Sequence, residues 1–150
     1  MQLLTKETDY AIRALLCVGL APNQMATAKE IAEYEDISWL FLRRVMQRLA
    51  AVGLLSSNKG RRGGFTLGRP ARRITLVNVI TAFQGEIALS ECLVRGLPCR
   101  NRPTCTVRRK LRDVEEMLKR ELSGITLEML LALRRTEGGR RKRPFGNNRK

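Results

Sequence analysis

At Gly53 the apolar pattern of this chain changes from a helical period to short extended segments, and that switch fixes what can be built on either side of it. Upstream, Ile12, Leu15, Leu16, Gly19 and Leu20 share one stripe of a helix from Thr5 to Leu20, which Ala21-Pro22-Asn23 ends. Thr27, followed three residues on by Glu30, is a capping box that opens a short second helix through Ile31, Ala32 and Tyr34. Ser38 is the expected N-cap of a third helix that turns Leu42, Val45, Met46 and Leu49 inward and stops at Gly53. Its other face carries Trp39, Arg43, Arg44, Gln47 and Arg48.

Downstream, Leu54 to Ser57 and Phe65 to Leu67 form two short β segments joined by Asn58-Lys59-Gly60-Arg61-Arg62-Gly63-Gly64, the pattern of a hairpin. Ile74 to Leu76 lead into a helix through Val77, Ile80, Thr81 and Phe83, and Pro98 and Pro103 keep the next stretch, Glu91 to Cys105, irregular. Val107, Leu111, Val114, Leu118 and Ile125 then recur at spacings of four and three, interrupted at Glu121, which predicts one long helix with a coiled-coil seam. From Arg134 the chain holds eight Lys or Arg, one Glu and no apolar period, the composition of a disordered basic tail. The expected fold is mainly α with a small β wing: a winged helix-turn-helix over residues 1–84, a cysteine-bearing loop over 85–106, a long dimerisation helix region over 107–133 and the tail over 134–150.

The charge narrows the function. Against 14 Asp and Glu stand 29 Lys and Arg, a net +15, and +8 remains when the tail is set aside, which points to a polyanion. The absence of histidine removes Ser-His-Asp, Cys-His and His-Glu-x-x-His chemistry, so no enzyme is expected. No apolar run is long enough to span a bilayer, and Lys6, Glu7, Asp9 and Arg13 interrupt Leu3 to Leu20, unlike a signal peptide. A cytosolic protein with no membrane partner is expected.

Three helices followed by a basic hairpin are the order of a winged helix-turn-helix, whose third helix enters the major groove of double-stranded DNA. Arg43, Arg44 and Gln47 sit where a groove would be, and Arg pairs with guanine O6/N7 as Gln does with adenine N6/N7. Lys59, Arg61 and Arg62 give the wing charge, while Gly60, Gly63 and Gly64 would let its backbone approach phosphates. The plainer reading is a solvated basic face and turn. Trp39, beside Ser38, either stacks on the sugar-phosphate backbone or packs against Phe41 or the preceding turn.

Cys92, Cys99 and Cys105, separated by six and five residues, place three thiols in a polar stretch before the long helix. Soft thiolates at such intervals suit an iron–sulfur cluster or zinc, and free redox-active thiols are the alternative. Cys17, inside the first helix, is a small packing residue.

These residues resemble the IscR/NsrR/RirA-type family of winged-helix iron–sulfur transcriptional regulators. The likeness runs through Leu4-Thr5-Lys6, Asp9-Tyr10-Ala11, Lys29 to Ala32, Ile37-Ser38 with Leu40 to Leu42, Leu49, Val52 to Ser57, the wing from Lys59 to Phe65, the three cysteines and Ile125-Thr126-Leu127. It implies a homodimer joined through Val107, Leu111, Val114 and Leu118, seated on a pseudopalindromic operator and acting as a repressor. It also implies a 2Fe-2S or 4Fe-4S cluster on Cys92, Cys99 and Cys105 that senses iron, redox state or nitric oxide. Arg108 stands where one branch of the family has a ligating histidine, so the resemblance points to the other branch's carboxylate, Asp9 of the partner subunit. Arg43 replaces the acidic residue of the first branch, so operator preference does not carry over. The rivals are a cluster-free thiol- or zinc-based winged-helix regulator and an iron–sulfur electron-transfer protein that docks an acidic partner.

Overall fold

The computed structural model describes residues 3–60, 63–89 and 99–137. Helix α1 (Lys6–Leu20) starts at Thr5, whose hydroxyl accepts the Thr8 amide at 3.3 Å. Ala11, Ala14, Leu15, Cys17 and Val18 are fully buried, so α1 forms the middle of the core. In α2 (Ala28–Glu35) the Thr27–Glu30 capping box closes as expected, both Thr27 groups bonding Glu30 at 2.8 Å. Asp36 then takes φ 53° and turns the chain into α3 (Trp39–Ala51), which buries Leu42, Val45, Met46 and Leu49. Ser38 precedes α3 without a side-chain capping bond.

The wing is part of a three-stranded antiparallel sheet: β1 (Met25–Ala26), β2 (Leu55–Asn58) and β3 (Gly64–Leu67), in the order β1-β3-β2. Leu55 pairs with Leu67 and Asn58 with Gly64, as the hairpin pattern requires. Strand β1 was not expected, because two residues are too short to display a period. Helix α4 (Leu76–Gln84) opens on a second capping box, Thr75 with Asn78.

The expected single helix through Ile125 is in fact two, α5 (Thr106–Gly124) and α6 (Leu127–Glu137). The Leu76 amide donates to the Ile125 carbonyl at 3.0 Å and the Leu127 amide to that of Ile74 at 2.8 Å, pinning the break as an antiparallel bridge between Thr75 and Thr126. Helix α6 folds back on α1, burying Leu127 and Leu131 in the main core. A Cβ at Gly19 would lie 2.8 Å from Leu131 Cδ1, so a larger residue here would displace the Leu131 side chain. Residues 127–133 therefore belong to the winged-helix body, and Arg134 to Glu137 continue the helix where a disordered tail was expected. Helix α5 leans on α4 through a smaller cluster of Ile80, Ile87 and Leu122, with Leu118 packed against it.

Replacing Leu131 by Ala should cost about 2–5 kcal/mol, the range for a buried leucine. Leu133→Ala, on the exposed side of α6, should stay within about 0.5 kcal/mol of the parent in urea unfolding.

Candidate functional site

Because the inner face of α3 is core, its outer face is left to solvent. Arg43, Arg44 and Gln47 are all exposed. Trp39 is 47% exposed and its ring lies 5.8 Å from the Arg43 guanidinium carbon, a cation–π contact that orients the arginine. Phe41 does not pack on Trp39; it meets Tyr10 edge-on with centroids 5.5 Å apart. Arg48 is turned to structural use, 4.8 Å from the Phe83 ring and 3.9 Å from Glu7.

In the wing, Lys59 is exposed, and Arg61 and Arg62 lie outside the described residues. The glycines, expected to serve phosphate approach, each have a reason within the chain. Gly60 has φ +117°, where a side chain is strained. A Cβ at Gly63 would sit 2.5 Å from the Asn58 carbonyl oxygen, and one at Gly64 3.0 Å from that of Ala26. The turn itself requires Gly60 and Gly63 and the approach of β1 requires Gly64, so they do not by themselves separate DNA binding from protein docking.

Of the three loop thiols, Cys92 lies outside the described residues, Cys99 is exposed and Cys105 is half-buried. Cys105 caps α5, its sulfur accepting the Arg108 amide at 3.4 Å. It lines an open cleft of about 560 Å³ shared with Arg102, Arg108, Arg109 and Arg112. Among the described residues no three His, Cys, Asp or Glu converge on one point. The donor chemistry nonetheless fits a thiolate-bound group: accessible soft sulfur, with guanidinium groups beside Cys105 to balance the negative charge. The loop is tethered where it leaves α4, since the buried Glu115 carboxylate on α5 accepts the Leu89 amide at 2.5 Å.

Asp9 bonds Arg13 Nε at 2.9 Å, the helical ion pair expected of residues four apart. Arg13 also reaches Glu35 at 3.2 Å, and Arg134 approaches the other Glu35 oxygen at 3.6 Å. Burial works against the Arg13 charge, but the Glu35 and Asp9 carboxylates more than offset it and raise the guanidinium above its ordinary value. The Cys17 thiol donates to Glu35 Oε1 at 3.6 Å.

Residues 4–133 match Rrf2, a family described as iron-dependent transcriptional regulators. The chain belongs to this family. It is 33% identical over 132 residues to the protein aau3 of Rhizobium meliloti, covering 87% of this chain and 86% of that one. To the HTH-type transcriptional regulator NsrR of Oceanobacillus iheyensis it is 35% identical over 130 residues, 85% and 88% of the two chains. Among solved structures it is similar in fold to CymR, the global cysteine regulator of B. subtilis, with a TM-score of 0.74 at 22% identity over 89% of this chain and 98% of that one. The Rrf2 chain is thus a DNA-binding transcriptional regulator of a non-enzymatic family with a winged-helix fold. Among the described residues no helix is long and apolar enough to cross a membrane.

The sequence reading of this Rrf2 regulator missed three groups: Glu35, Glu115 and Gln84, whose Oε1 accepts the Thr5 amide at 3.0 Å and the Thr8 hydroxyl at 2.6 Å. Their partners lie 18 to 99 positions away, so no local pattern announces them. Cys17 is the packing residue expected, and burial, helped by the Glu35 charge, pushes its thiol up to about 12. Unfolded chain would lose that proton near pH 9.0 while the folded chain keeps it, so this stabilisation is intact below pH 9 and falls as pH rises toward about 12. Urea midpoints from pH 8 to 11 should therefore fall more steeply for the parent than for Cys17→Ala.

Proposed function

We propose that this Rrf2 regulator is a homodimeric repressor that binds a pseudopalindromic operator and senses iron supply, redox state or nitric oxide through an iron–sulfur cluster on Cys92, Cys99 and Cys105. The observation that carries the DNA half is the division of α3: one face is core, and the other exposes Arg43, Arg44 and Gln47 in a chain of net charge +15. Ser38 and Trp39 start that helix beside the groove, and the wing from Lys59 to Gly64 follows the backbone. A dimer seated over a promoter excludes polymerase from it.

The dimer forms along α5. Val107 and Val114 are 65% and 48% exposed and Leu111 is half-buried, an apolar row open along the helix, while Leu118 also packs within its own subunit. When bound, the cluster supplies an iron site that oxygen or nitric oxide attacks and iron scarcity empties. Asp9 of the partner subunit would hold the fourth position, a carboxylate that is paired with Arg13 when the cluster is absent. Asp9 lies on α1, which packs against α3, so loss of that ligand would shift α3 relative to the dimer axis. The accessible Cys99 and Cys105 also support a second reading, a thiol- or zinc-based sensor without a cluster.

The DNA half is tested by binding across a salt series. Affinity should fall with a slope of about −0.9 in log K against log salt for each phosphate neutralised. Arg43→Ala and Gln47→Ala should cost roughly 1–3 kcal/mol on the preferred duplex and much less on random DNA. Equal losses on both duplexes would remove α3 as the reader.

For the sensor, anaerobically purified protein should carry visible absorbance with iron and acid-labile sulfide. Cys92→Ser, Cys99→Ser and Cys105→Ser should each bleach or destabilise it, whereas Cys17→Ser should keep the colour. Colourless parent protein with intact operator binding would favour the thiol or zinc reading.

A further inference from the structure

Beside Trp39, a second apolar side chain stands exposed at the start of the basic face of α3. Leu40 is 59% exposed, although it lies in the first turn of a helix whose opposite side is tightly packed. Arg43, Arg44 and Gln47 follow it at three, four and seven residues, so the four side chains form a single row. Arg43 is drawn to one side of that row by the Trp39 ring. Nothing in the core requires a leucine here, because Leu42, Val45, Met46 and Leu49 fill the inner face.

The neighbours decide what such a side chain can meet. An apolar protein surface placed on Leu40 would also cover Arg43 and Arg44 and strip two guanidinium groups of water without partners, which is costly. DNA satisfies both needs at once, since phosphates and guanine edges accept from the arginines and the major groove displays one apolar group, the thymine C5 methyl. Cytosine would instead point its N4 amino donor at an aliphatic chain that cannot accept it. We infer that Leu40 is a specificity-determining residue that covers a thymine methyl group in each operator half-site. The inference rests on the DNA-binding reading above and adds the base that the first turn of the helix selects.

A duplex selected by the full-length protein from a random library provides the probe, and each of its thymines is replaced singly by deoxyuridine, which removes the methyl group and leaves base pairing intact. One thymine per half-site should weaken binding about fourfold on losing its methyl, the effect of uncovering one methyl-sized group. Leu40→Ala should bind the thymine duplex correspondingly less well and treat thymine and uracil there alike, while Leu40→Met should keep the discrimination. Fluorescence anisotropy reads the ratio directly, and an exposed leucine can be shortened without loss of fold. A selected sequence with no uracil-sensitive thymine, or an unchanged uracil penalty in Leu40→Ala, overturns the assignment and leaves DNA binding standing. A library that yields no preferred sequence overturns both.

Discussion

The burial of α1 sets the terms for the rest of the molecule. A surface helix needs one apolar stripe, but α1 packs against α3, α4, α6 and the sheet, and Ala11, Ala14, Leu15, Cys17 and Val18 have no exposed surface. A helix enclosed on several sides has little room for added volume, and at Gly19 the Leu131 side chain fills the space a Cβ would take. A larger residue there would have to move Leu131 from its place in the core, because interiors packed at crystal density have little slack. Helix α6 in turn follows the bridge at Thr75 and Thr126, so the geometry of α1 reaches the end of α5 through two packed steps.

Glu35 couples the same helix to the approach to α3. Its carboxylate is only 6% exposed, and it is held by Arg13 from α1, Arg134 from α6 and the Cys17 thiol. A buried charge with two guanidinium partners adds little net stability once desolvation is counted, but removing a partner leaves that desolvation uncompensated. What the cluster does fix is direction. Glu35 ends α2, Asp36 takes the left-handed turn after it, and α3 begins three residues later. The path into α3 is thus clamped by residues from α1 and α6, far apart in the chain.

Much of this was legible in the sequence where the controlling interactions are local. The Thr27–Glu30 box, the inward row of α3 and the hairpin around Gly60 depend on spacings of two to four residues, and each formed where the pattern placed it. The break at Ile125 was hidden because Ile125 prolongs the seam of α5, and only the distant Ile74 and Leu76 supply the bonds that end the helix. Basic composition alone suggested a tail from Arg134, yet Glu35, 99 positions earlier, gives that arginine a folded partner. The wing glycines differ in this: their placement was visible, but the structural reason for Gly64 lay in strand β1, too short to be seen. At the candidate site, the exposed face of α3 was legible as a basic row, while the exposure of Leu40 beside it came only with the structure.

That division of α3 also explains why likeness over most of a chain carries the fold without carrying the operator. Leu42, Val45, Met46 and Leu49 are constrained by volume against α1 and α2, so changes there are felt as lost stability. Leu40, Arg43, Arg44 and Gln47 have no such constraint, and exposed positions of this kind usually change stability by no more than about 0.5 kcal/mol. Selection for a new site can therefore rewrite the outer row while the inner row keeps the helix in place. On the proposed reading, the basic residue at position 43 offers the bases a cation and the aliphatic residue at position 40 adds a methyl-seeking surface beside it. A preference set in this way has to be read from this chain's own outer face, because the scaffold that holds it is indifferent to what that face displays.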